Sequence, residues 1–146
     1  MSIEKVLGDI ESVLPDYSYT WKRGVGSFAL LAENPRWVLA VVTPVDAAEV
    51  RRRVRAWERE LVQRGGGGRG LALVLLVQKP LTGFDATSIG QLGRRVDPVR
   101  VVPMELAAVS LGVRAVYEAF DMFLAPPEGL ASALTPPRRA NAAAHS

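Results

Sequence analysis

Trp37-Val38-Leu39-Ala40-Val41-Val42-Thr43 is seven residues without a charge, four of them Val or Leu. A segment with no polar face to offer water reads as a strand covered on both sides, at the centre of a sheet. It also holds no group able to do chemistry. The strand that decides the architecture is therefore silent about activity.

Outward from this strand, Thr43-Pro44 is read as opening a helix, with Asp46 and Glu49 in its first turn where they suit the helix dipole. Val50, Val54, Trp57 and Leu61 fall within about 60° of one another around that helix and form its core stripe. Gly65 to Gly68 stops it. Leu71 to Gln78 is again almost wholly apolar, so strand, helix and strand make a right-handed crossover with the two strands parallel. A short helix from Asp85 to about Arg95, capped by Asp85, leads to a strand over Val99 to Val102. Pro103 is read as beginning the last helix, which bends at Gly112 and ends near Leu124.

On the amino-terminal side, Glu33-Asn34-Pro35 is a tight connection back to a strand over Ser27 to Ala32. Before Gly24-Val25-Gly26, Tyr17, Tyr19 and Trp21 alternate with polar residues, the period of a half-buried strand. Ile3, Val6, Leu7, Ile10, Val13 and Leu14 line one stripe of a first helix, capped by Ser2 and ended by Pro15. The fold class is α/β with a mixed central sheet, in the order α-β-β-β-α-β-α-β-α. The 146 residues and 49% hydrophobic content suit a single domain over 1–127, followed by a disordered Ala/Pro-rich tail over 128–146.

Composition removes several chemistries. There is no Cys, and the only histidine is His145 in the tail, which excludes thiol nucleophiles, Ser-His-Asp triads and Cys or His metal sites. The first residues carry mixed charge with no apolar core, and the longest apolar run is far short of a membrane span, so a soluble cytoplasmic protein is expected. The net charge is +3, and Arg supplies 15 of the 18 basic residues. That bias suits either a GC-rich bacterial genome or a phosphate-binding surface.

Helix, three antiparallel strands, helix and parallel strand, followed by a helix and the strand into Val101-Val102-Pro103-Met104-Glu105-Leu106, resembles the core of the restriction-endonuclease-like nucleases over about Ser2 to Leu111. The resemblance implies a Glu on the first helix, an Asp on the second strand and Glu-x-Lys on the third, together holding Mg²⁺. Glu11 matches the first-helix acid. Ser27 to Ala32 has no acid, Leu39-Ala40-Val41-Val42-Thr43 stands where Glu-x-Lys belongs, and Glu33 in the turn has no lysine two residues on. The expectation is a nuclease-fold domain without a metal site, without a cofactor and without catalysis.

Two candidate surfaces remain. Arg52, Arg55 and Arg59 face away from the core stripe, whereas Arg53 and Arg64 stand four residues from Glu49 and Glu60 and pair with them. Three free arginines suit phosphate contacts, DNA above all, with Arg94, Arg95 and Arg100 as a second basic set. On the last helix, Val109, Val113, Val116, Phe120 and Phe123 form the docking stripe. Tyr117, Met122 and Leu124 fall away from it, as a surface for a protein partner or for self-association. The leading expectation is a non-catalytic, nucleic-acid-associated subunit. The alternative is a protein-interaction or assembly subunit with no nucleic-acid role, and a third reading is a divergent metal-dependent nuclease.

Overall fold

The computed structural model describes residues 2–65, 68–92, 99–109 and 112–123. Helix α1 (Ile3–Val13) runs through a 3-10 turn (Leu14–Tyr17) into strands β1 (Thr20–Val25), β2 (Phe28–Glu33) and β3 (Trp37–Val42). Helix α2 (Ala47–Gly65), strand β4 (Gly70–Val77), helix α3 (Gly83–Leu92) and strand β5 (Val99–Glu105) follow, then helices α4 (Leu106–Val109) and α5 (Val113–Phe123). The five strands lie in one sheet in chain order. β1–β2 and β2–β3 are antiparallel, β3–β4 and β4–β5 parallel. The α/β class, the mixed sheet and the order of elements agree with the reading of the sequence.

All six residues of β3 are buried, because both edges and both faces of the strand are covered. Alternate side chains go to opposite sides. Trp37, Leu39 and Val41 pack with Ala72, Val74 and Leu76 against α1, the 3-10 turn, α4 and α5. Val38, Ala40 and Val42 pack with Leu71, Leu73, Leu75 and Val77 against α2 and Ile89 of α3. Each Leu or Val buried from both sides stabilises the fold by roughly 1.5–3 kcal/mol. Gly70 at the start of β4 has a steric cause: a Cβ there would come within 2.7 Å of the Trp37 ring.

Several local expectations are corrected. Tyr17 belongs to the 3-10 turn, not to β1, since Pro15 is tolerated in a first turn and Ser18 closes it at φ 65°. Its ring is buried by helix packing, 5.6 Å from Phe120 and 6.3 Å from Tyr117 between centroids. Pro44 precedes α2 and does not open it: Asp46 Oδ1 accepts from the Glu49 amide at 2.9 Å, and Glu49 accepts from the Val45 amide at 2.8 Å. Thr82, not Asp85, caps α3, accepting from the Asp85 amide at 3.0 Å.

Pro103 lies inside β5, opposite Leu75. β5 is an edge strand, where a proline has outward positions that need no ladder partner. The last helical stretch is split in two, with Gly112 at φ +125° ahead of α5. Val113, expected in the docking stripe, is 37% exposed. The expected helix end at Leu124, Arg94 and Arg95, and the tail over 128–146 lie outside the described residues.

Candidate nucleic-acid interface

Helix α2 exists because its stripe fits the sheet. Val50, Val54, Trp57 and Leu61 are all 3% exposed or less, and they leave the opposite side of the helix in water. Arg52, Arg55 and Arg59 are exposed on that side, as the helical phase requires. α2 carries six arginines against three glutamates, so its net charge of +3 equals that of the whole chain. The rest of the protein is balanced, and the basic character resides in this one helix.

The pairings expected at spacing four are present, Arg53 with Glu49 at 3.0 Å and Arg64 with Glu60 at 3.2 Å. Arg53 also lies 5.1 Å above the Trp57 ring, which belongs to the core as expected. Burial pushes the Glu60 carboxyl up, but the Ser27 amide and hydroxyl and the Arg64 guanidinium outweigh it and hold it below the ordinary range. Through the Ser27 amide, at 3.1 Å, Glu60 ties α2 to the β1–β2 hairpin. Gly26 sits at φ +58° against that carboxylate, where any side chain would collide with it.

Arg55 is not free. Its guanidinium lies 3.8 Å from Glu58, which is only 2% exposed and sits at the border of the core stripe. The ridge thus consists of Arg52 and Arg59, with no ion pair among the described residues, and Arg55, which also faces a buried carboxylate. Glu58 was missed in the sequence, although its spacing of three from Arg55 and its phase beside Val54 were both visible. Arg51 pairs with Asp85 of α3 at 3.2 Å. Arg100 is exposed on β5.

The acids that a nuclease-like metal site would need are engaged elsewhere. Glu11 accepts from Arg23 Nε and Nη2 at 3.0 and 2.8 Å and from the Trp21 indole at 3.0 Å. Arg23 also reaches Glu4 at 3.0 Å, so α1 is clasped to the sheet edge. Glu33 lies 3.7 Å from Arg69. No acid lies on β3, and no group of three or more metal-ligating side chains occurs among the described residues. The residues present do not fit a divalent cation at that position.

Hydrogen bonds from Arg23 hold the Glu11 carboxyl below its ordinary range, against a smaller opposing effect of burial and with help from Trp21. A depressed carboxyl stabilises the fold above its unfolded value of about 4.3 and loses that contribution as pH falls through its folded value. Glu11→Gln is therefore expected to cost no more than about 1 kcal/mol at neutral pH. The difference from the parent should vanish in acid. A urea midpoint difference that persists below the carboxylate range would show that the clasp is not electrostatic.

On the opposite side of the sheet, Tyr117 is half-buried and packs on the Tyr17 ring, so part of the expected partner surface serves internal packing. The side chain of Met122 and all of Leu124 lie outside the described residues. No helix among the described residues is long and apolar enough to cross a membrane. The chain matches no protein-family model, and no curated protein matches it.

Proposed function

We propose that this chain is a non-catalytic, restriction-endonuclease-like domain acting as a nucleic-acid-associated subunit, and that the outer face of α2 binds phosphates. The observation that carries this reading is the concentration of the protein's whole net charge on one helix whose exposed face presents Arg52, Arg55 and Arg59. Guanidinium groups are planar multi-donor cations suited to phosphate oxygens. The element order supports the nuclease-like architecture, and the engagement of Glu11 and Glu33 by arginines supports the absence of metal-assisted cleavage.

The clean test is the double variant Arg52→Ala/Arg59→Ala, because removing Arg55 would also strip Glu58 of a counter-charge. Binding to labelled duplex DNA should weaken alike for unrelated sequences, and the salt dependence should flatten by about 0.9 for each phosphate no longer neutralised. Folding should move by no more than about 0.5 kcal/mol per substitution. The DNA should come back intact after incubation with Mg²⁺. Unchanged affinity in the double variant would remove α2 from the interface. The alternative, a protein-interaction subunit, is favoured by one feature, the exposed Val113 beside Arg114, Tyr117 and Glu118 in a shallow groove on α5.

A further inference from the structure

Phe84 is 79% exposed, a whole aromatic ring standing in water on the first turn of α3. Helical phase puts it there. Ile89, at 0% exposure, is the buried anchor of α3, and Phe84 lies about 140° away from it around the axis. The ring therefore contributes nothing to the core.

The turn that carries it is held on both sides. Thr82 caps the turn, and Asp85, the next residue, is held by Arg51 of α2 at 3.2 Å. That ion pair brings the first turn of α3, on which Phe84 stands, to the amino-terminal half of α2, where the Arg51 side chain is itself half-exposed. Arg52 follows Arg51 directly, and Arg55 is one turn further along the same helix. The immediate neighbours Thr82, Gly83 and Asp85 add no apolar area, so the ring is not part of a run of exposed apolar residues along the chain.

We propose that Phe84 is a base-stacking platform flanking the arginine face of α2, and that the nucleic acid taken there is single-stranded. The inference rests on the reading of α2 as a phosphate-binding face. In a duplex the bases already stack on one another and offer only their edges to a groove, so an exposed ring finds no π-face to cover. An unpaired base supplies one. A basic groove combined with an aromatic plane is the chemistry that recognises single strands with little regard to sequence.

The test is fluorescence anisotropy with a labelled oligothymidylate and a labelled hairpin duplex, on the full chain. The parent should prefer the oligothymidylate. Phe84→Ala and Phe84→Leu should each weaken that binding by roughly five- to a hundred-fold with the salt slope unchanged, whereas Phe84→Trp should retain it. Arg52→Ala/Arg59→Ala should instead reduce the slope. Because the ring is exposed, the circular dichroism and melting of all Phe84 variants should match the parent. Parent-like affinity in Phe84→Ala, with the arginine variant weakened, overturns the stacking platform while leaving the phosphate face standing. Full binding in Phe84→Leu also overturns it, by making the ring a plain apolar contact such as a protein partner would use. No binding of either probe by the parent overturns both the platform and the reading beneath it.

Discussion

Leu73→Ala is expected to lower the stability of this protein by about 2–5 kcal/mol, the cost of deleting buried methyl groups and leaving a cavity. Leu73 is 0% exposed, lies opposite Ala40 on one side and Val101 on the other, and faces α2 from the middle of β4. Small domains hold only about 5–15 kcal/mol in total, so this one change removes a large share. The urea midpoint should fall with the slope unchanged. Val62→Ala, at a position 43% exposed on the same helix that Leu73 supports, should stay within about 0.5 kcal/mol. Equal losses in the two variants would mean that the sheet–helix interface is not the core described above.

Asn34→Ala should cost about 2–4 kcal/mol, an unusual loss for a turn residue. Asn34 is 5% exposed, and its side chain satisfies three backbone groups at once. Oδ1 accepts from the amides of Arg36 and Trp37 at 2.9 and 2.7 Å, and Nδ2 donates to the Tyr17 carbonyl at 2.9 Å. Alanine would strand all three. Asn34→Asp should fall between parent and alanine, since it keeps the acceptor but sets a carboxylate against the Tyr17 carbonyl. A change below about 0.5 kcal/mol in Asn34→Ala would mean that water replaces the amide at little cost.

These two residues mark what could be read in the chain. Leu73 was legible, because a near-continuous apolar run has one explanation, burial between two layers, and the same pattern located β3. Asn34 was legible only as a turn former. Its clasp on Tyr17 joins residues 17 apart, and local pattern carries no information about such a bond. Tyr17 failed for a related reason: alternation of aromatic and polar residues fits a strand, but the chain makes a 3-10 turn through Pro15 and the Tyr17 ring packs on α5 instead. Pro103 misled because a proline suits the first turn of a helix as well as an edge strand, and only the sheet order decides between them.

The candidate surface followed the same division. Exposure of Arg52, Arg55 and Arg59 was a consequence of helical phase and needed no tertiary knowledge. The partner that qualifies Arg55 lay within reach of the same geometry, since Glu58 sits where the stripe meets the solvent face. Phe84 required more. Its exposure follows from the phase of Ile89, but the contact of its turn with Arg51, through Asp85, depends on how α3 lies on α2, which no periodicity reports.

Phosphate binding by α2 is tested most directly by the salt dependence of the parent protein's affinity for a labelled oligonucleotide. If two or three arginines of α2 neutralise phosphates, log Kobs should fall linearly with log salt, with a slope of about −0.7 per phosphate on a single strand or −0.9 on a duplex, roughly −1.5 to −3 in all. An affinity independent of salt, or no affinity at low salt, would contradict it.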